Sequence, residues 1–523
     1  MVLVSNTQLQ PSSDATGSIL SHLPEHQRSR ILSGMRWTAW LSAIAVPFSL
    51  AVNFLLARVG PETLGVYGLL GVYVSLTSAF LYFGGDSVVM RFIPECRLDD
   101  RASFLISYLL VIVAVISGWL VFAWLYPGVI ALALGDIGGE RFHFLVLCLA
   151  VVPIAFAMVV ACLKGMLEIR FSQVLAKLLA IVSLIIYLAL FVFDRSLLSG
   201  HPTAVIWSVY LGVNATLAAI GAVRLIQLSR ASRLRWFLPD GFWRYAFSTQ
   251  QVSVTSFLAT KLDYILVVNF GGLRLLGKYV AVMAVATVVR VVSWFFIDTL
   301  LPSLTNTIAA RNHAGAAQVF MMHVRILFLV ITAAACAVMV LSVPATAALG
   351  PKYESLAGLI IFMALCFGIA SPGVIGGTAL ASVGRQQLVV WTNIFNLLLF
   401  VGLFLVLWRR WNLAGAVVAY GTALVISYVI LVATARRTAR FLPPIYGLWI
   451  WAAAVQATVG FVAWWWMPIG LLGAALVWVG AMGLFLWLSA YDSAECRGLA
   501  QTFLPHLAVR SDESGATAVS RVG

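Results

Sequence analysis

Gly60-Pro-Glu-Thr-Leu-Gly65-Val-Tyr67 separates two apolar runs, and Gly272-Leu-Arg-Leu-Leu-Gly277-Lys-Tyr279 separates two more. Gly60, Gly65 and Tyr67 return as Gly272, Gly277 and Tyr279, each 212 positions later, and Asp86 returns as Asp298 at the same offset. A fixed offset shared by several residue types marks an internal repeat. Outward from these two segments, apolar runs of about twenty residues recur from Trp37 to Leu488, the length that crosses a bilayer core of about 30 Å. The spans are predicted at approximately 37–57, 64–89, 104–126, 142–163, 174–193, 203–226, 246–270, 279–300, 326–349, 356–381, 388–408, 413–434, 447–466 and 469–490.

Composition agrees with that reading. Of 523 residues, 62% are hydrophobic and 10% charged, with a mean hydropathy of +1.00. Soluble domains are roughly half apolar and a quarter charged. Backbone groups in lipid must bond internally, and the alternation of a barrel strand is absent, so the spans are helices. The fold class is an all-α polytopic membrane protein of about 14 transmembrane helices. No loop is long enough to hold a catalytic domain, so an enzyme is not expected.

The net charge of +14 does not signal nucleic acid, because Lys and Arg sit in short loops between spans and set topology instead. One set of loops carries 23 of the 33 basic residues and the other set 8. Both termini are therefore placed in the cytoplasm of a bacterial inner membrane. No apolar segment precedes Arg28, so no cleavable signal is expected. The repeat then runs parallel, about an axis along the membrane normal. The organisation is a tail at 1–34, an N-lobe of six spans at 35–226, a basic linker at 227–243, a C-lobe of six spans at 244–434, two extra spans at 435–490 and a tail at 491–523. Neither the six cysteines nor the seven histidines fall in a disulfide or metal pattern. Gly272–Lys278 mimics a phosphate-binding loop, but Tyr279 stands where Ser or Thr should be and a membrane span precedes it. No cofactor is expected.

Charges inside spans carry the functional reading, since one at the bilayer centre costs about 2.5–3.5 kcal/mol or more. Lys261 and Asp263 lie in the seventh span and Arg290 near the middle of the eighth. Thr249, Ser253, Ser256, Thr260 and Asp263 recur at helical spacing on one face, flanked by Gln250 and Lys261. Thr38, Ser42, Ser49 and Asn53 repeat that stripe weakly in the first span. Facing stripes would line a hydrated cavity between the lobes; Ser and Thr also serve close helix packing. Arg58 has two readings, cavity cation or interfacial anchor. Asp86 and Asp298 lie at span ends, where an interfacial ion pair competes with ion coupling.

Phe54-Leu-Leu-Ala-Arg58-Val-Gly60-Pro61-Glu62-Thr-Leu-Gly65-Val-Tyr67, then Arg91-Phe-Ile-Pro-Glu95, resembles the polysaccharide transporter family of the multidrug/oligosaccharidyl-lipid/polysaccharide flippase superfamily. Leu262-Asp263-Tyr-Ile-Leu, Leu301-Pro302, Gly350-Pro-Lys-Tyr353, Ala381-Ser-Val-Gly384-Arg385 and Asn412-Leu-Ala-Gly415-Ala416 follow in the family's order. The resemblance implies two six-helix bundles around a central cavity, working by alternating access. It implies a substrate of oligosaccharide on undecaprenyl diphosphate, moved to the periplasmic leaflet for O-antigen, capsule or exopolysaccharide, with glycan polymerase and export machinery as partners. Arg290, Lys261 and Arg58 match the spans that hold the family's cavity cations. A drug or cation antiporter of the same superfamily is the alternative, and a membrane-embedded polymerase or glycosyltransferase a more distant one.

Overall fold

The computed structural model describes residues 44–96, 100–128, 151–166, 168–228, 235–309, 313–439, 442–465 and 471–488, and among these every regular element is a helix. Nine helices are long and apolar enough to cross a membrane among the described residues. The chain is a multi-pass membrane protein. In order, the helices are α1 (Ile44–Val59), α2 (Pro61–Leu81), α3 (Gly85–Glu95), α4 (Arg101–Leu125), α5 (Val151–Gly165) and α6 (Ile169–Phe193). There follow α7 (Arg195–Gly200), α8 (Pro202–Leu228), α9 (Phe242–Ala309), α10 (His313–Val340) and α11 (Ser342–Leu349). The last are α12 (Ala357–Ala370), α13 (Pro372–Ser382), α14 (Gln386–Thr438), α15 (Tyr446–Trp465) and α16 (Leu471–Leu488).

Helices α9 and α14, at 68 and 53 residues, are far longer than the ~20 residues that one crossing needs. Each bends at one residue: α9 at Gly272 (φ 71°, ψ 179°) and α14 at Asn412 (φ 45°, ψ −120°). Both have positive φ, which Gly adopts freely and Asn more readily than most. The expected turns between the seventh and eighth spans and between the eleventh and twelfth thus lie at these bends.

Two expected spans are broken. The stretch expected at 64–89 ends as α2 at Leu81, and Gly84 (φ 76°) and Gly85 (φ 59°) turn the chain into α3. The hydroxyl of Tyr108 on α4 donates to the Phe83 carbonyl at 2.7 Å and satisfies the turn. The stretch expected at 356–381 divides into α12 and α13 at Ser371-Pro372, where proline supplies no N–H to continue the ladder.

Helix α2 is buried for most of its length, and α9 is its principal partner. Peripheral helices turn large apolar side chains outward, as at Trp124 and Phe193. The α2–α9 contact is reciprocal under the offset of 212. A Cβ on Gly65 would overlap the Leu273 carbonyl, and one on Gly277 would overlap the Pro61 carbonyl. Pro61 and Leu273 are themselves 212 apart. One step along, Gly68 faces Val280, its own equivalent. Reciprocity of this kind is what a two-fold axis between equivalent helices generates. Only glycine lets the two backbones approach so closely.

The two C-terminal helices are tied down by polar side chains. Trp449 on α15 donates to the Ile369 carbonyl at 2.9 Å, Gln456 to Thr332 at 3.2 Å, and Trp478 on α16 to the Ala333 carbonyl at 2.8 Å. Helices α15 and α16 therefore stand against α10 and α12.

Candidate functional site

Next to the glycine contact, α2 and the second half of α9 form two walls of a cavity. Together with α1, α8 and the first half of α9 they enclose about 470 Å³. Its polar wall comprises Ser49, Asn53, Tyr67, Ser75, Tyr210, Lys261, Tyr264 and Thr287. Lys261 is its one charged lining residue among the described residues. The Lys261 Nζ stands 4.8 Å from the centre of the Tyr264 ring, a cation–π distance. Asn53 donates to the Ser49 carbonyl at 2.8 Å and Ser75 to the Gly71 carbonyl at 2.7 Å. The Ser75 hydroxyl hydrogen and one Asn53 N–H serve the helix backbone, which leaves the second Asn53 N–H and both side-chain oxygens for a hydroxylated ligand.

A second cavity, of about 320 Å³, is walled by α9, α13 and both halves of α14. Arg290 lines it, with Ser256, Thr260, Asn393, Asn396, Tyr420 and Tyr428. The Arg290 Nη1 donates to the Tyr420 hydroxyl at 3.4 Å.

The polar stripe of the seventh span is thus shared among several environments. Thr249 and Ser253 bond back to their own helix, at 3.0 Å to the Tyr245 and Thr249 carbonyls respectively. Beside them, Gln250 donates to the Ala79 carbonyl at 2.5 Å and accepts from the Gly84 N–H at 3.1 Å, which ties α9 to the end of α2. Ser256 and Thr260 open on the second cavity and Lys261 on the central one. Asp263 lines neither. It is buried, its Oδ2 accepts from the Tyr279 hydroxyl at 2.7 Å, and its Oδ1 has no hydrogen-bond partner among the described residues. Asp263 and Tyr279 brace the two halves of α9 across the Gly272 bend.

Arg58 stands at the end of α1, away from both cavities. Its guanidinium donates to the carbonyls of Ala348 at 2.6 Å and Ala347 at 3.2 Å, while its own carbonyl accepts from Arg195 at 2.7 Å. It caps the last turn of α11, where helix carbonyls lack partners. Asp86 falls in the first turn of α3, with its Oδ1 buried and without a hydrogen-bond partner among the described residues. Asp298 lies on α9, and its side chain lies outside the described residues, as do Thr38 and Ser42 of the first-span stripe. Sequence reasoning passed over Asn393 and Asn396, which share a helix face at a spacing of three. It also passed over the cavity tyrosines.

Solved structures share this architecture. The lipid II flippase MurJ in an inward closed conformation superposes with a TM-score of 0.65 at 13% identity, over 87% of this chain and 99% of that one. The chain shares its fold with this solved structure. An inward-facing multidrug resistance MATE family transporter of the MOP superfamily gives a TM-score of 0.60 at 14% identity, over 76% of this chain and 94% of that one. The MATE multidrug transporter DinF-BH, solved in a ligand complex, gives 0.56 at 15% identity, over 78% and 97%. No protein-family model and no curated protein sequence matches the chain.

Proposed function

We propose that the chain is a flippase that carries oligosaccharide on undecaprenyl diphosphate from the cytoplasmic to the periplasmic leaflet. The observation that carries this reading is the charge of the central cavity. Lys261 stands there among hydroxyls, amides and aromatic rings, with no carboxylate in the wall among the described residues. Diphosphate and glycan cannot enter hydrocarbon unaided, because buried charge and unpaired hydroxyls are prohibitive. The Lys261 ammonium offers three donors to phosphate oxygens on a flexible stem. Tyr67, Tyr210 and Tyr264 offer ring faces and hydroxyls to sugar. The prenyl tail stays in lipid.

In this reading the lobes at 35–226 and 244–434 alternate access about the α2–α9 contact, with fourteen crossings and both termini in the cytoplasm. The Gly65–Gly277 end is then periplasmic and the Gln250 end cytoplasmic. The two-fold arrangement of α2 and α9 supports the lobes, and the 23-to-8 division of basic residues supports the orientation. The fold likeness to the lipid II flippase reaches over more of the chain than those to the multidrug transporters, which also supports the reading. The product is a periplasmic lipid-linked glycan, the substrate of a polymerase in surface polysaccharide assembly. Asp86, with its unbonded buried oxygen, is the group we assign to ion coupling.

Reconstitution tests the substrate class. Vesicles bearing the protein should expose a fluorescent undecaprenyl-diphosphate oligosaccharide to an external quencher faster than empty vesicles, and should not exchange ethidium for protons. Proton-coupled ethidium movement without glycolipid movement would make the protein a drug antiporter.

A further inference from the structure

The wall of the central cavity has two unlike sides. On α9 stands the Lys261 ammonium, which donates. On α1 and α2 much of the polar surface accepts. The Ser75 hydroxyl gives its hydrogen to the Gly71 carbonyl, so its Oγ faces the cavity as an acceptor. Asn53 gives one N–H to the Ser49 carbonyl and brings its Oδ1 to the same wall. The outer oxygens of a diphosphate are acceptors too. Where acceptor faces acceptor, a donor or a cation must lie between them.

Charge points the same way. Each phosphate of a lipid-linked diphosphate keeps one negative charge at neutral pH, and Lys261 is the one charged residue in the wall among the described residues. Lys261 alone leaves part of that charge uncompensated at the depth where charge is most costly. We infer that the cargo enters the central cavity as the chelate of a hydrated divalent cation of magnesium type. The inference rests on the glycolipid reading of this cavity. Magnesium binds substrate phosphates and keeps several of its waters. Those waters donate to the Asn53 Oδ1 and the Ser75 Oγ, while Lys261 takes phosphate oxygens on the α9 side. Its ammonium repels the metal, which sets the cation toward α1 and α2. A monovalent cation is the competing companion. The adjacent phosphates favour the divalent ion, because it bridges both and matches their summed charge, so the loaded cavity carries the same charge as the empty one. No cluster of His, Cys, Asp and Glu fit to hold a metal occurs among the described residues. The ion therefore comes and goes with the cargo.

Binding with and without magnesium tests this. The purified full chain in detergent would be titrated with a fluorescent undecaprenyl-diphosphate oligosaccharide in EDTA, in sodium chloride with EDTA, and in magnesium chloride, with ionic strength held constant by a bulky organic salt. Magnesium should tighten binding at least about tenfold, the factor expected from one charge-assisted contact, and sodium should not. An undecaprenyl monophosphate sugar cannot chelate across two phosphates, so its binding should ignore magnesium. Asn53→Leu and Ser75→Ala should each raise the magnesium concentration at half effect about fivefold, and the second variant keeps the test open if the first fails to fold. Equal affinity in EDTA and magnesium overturns the inference. A magnesium effect shared by the monophosphate cargo overturns it as well, and so does one that both wall variants leave unchanged. Sodium matching magnesium would make the companion monovalent and contradict the chelate. Binding of the glycolipid in no medium would remove the glycolipid reading itself, an outcome distinct from binding that merely ignores magnesium.

Discussion

Helix α2 meets α9 at two places, and the two contacts are built from different materials. Near Pro61–Gly68 backbone lies on backbone, with Gly65 and Gly277 reciprocally placed. Near Ala79–Gly84 side chains meet: the Gln250 amide reaches across, and the Phe83 ring packs on Phe247. The first contact can separate only if two helices move, and its symmetry means that both repeats move alike. The second consists of hydrogen bonds worth about 1 kcal/mol each and of ring contacts of Phe83 with Trp243 and Phe247, so it is made of side chains where the first is made of backbone. In the proposed transport cycle, α2 carries both the firm pivot and the weaker latch that alternating access needs.

The largest effect should come from the firm end. Gly277→Ala places a Cβ on the Pro61 carbonyl and should cost about 3 kcal/mol or more, near the upper end for overpacked sites. Gly71→Ala, on the same helix as Gly65 but with no atom near its Cβ, should change stability by no more than about 0.5 kcal/mol. Denaturation of both variants in mixed micelles checks the pair, and equal losses would remove the distinction between pivot and cavity wall. Next comes Tyr279→Phe, which strips a buried carboxylate of its donor. It should cost about 1.5–3 kcal/mol by the same measurement.

The weak end should respond in conformation, not stability. Gln250→Leu keeps the bulk and removes the bonds to Ala79 and Gly84, so about 2 kcal/mol should leave the closed form, a shift of roughly thirtyfold in population. A cysteine at Ser75, in the central wall, should then react up to about thirtyfold faster with a polar maleimide. An unchanged rate would show that Gln250 does not latch α2.

The same contrast explains what the sequence disclosed. The pivot was legible because its glycines recur at one offset, and the bend at Gly272 falls where that repeat puts a loop. The Asn412 bend was legible as the gap between two apolar runs. The division of the cavities was not. A stripe of Thr249, Ser253, Ser256, Thr260 and Asp263 keeps one face, but it climbs about 20 Å along the helix and meets new neighbours at each turn. Ser256 and Thr260 reach α13 and α14, Asp263 turns to Tyr279, and Lys261, one residue off the stripe, opens on the central cavity. Arg58 was ambiguous for a similar reason. Its acceptors, Ala347 and Ala348, lie about 290 residues away, and no local pattern announces such a cap.

The direct test of the transport reading is the rate at which Lys261 variants move the lipid-linked glycan in reconstituted vesicles. If Lys261 holds the diphosphate, Lys261→Ala should slow movement at least about tenfold, the loss expected for one charge-assisted hydrogen bond. Lys261→Arg, which preserves the charge, should restore most of the rate, with both proteins folded and inserted as the wild type. Wild-type rates in Lys261→Ala would contradict the assignment and show that the central cavity does not carry the diphosphate through its one lining cation.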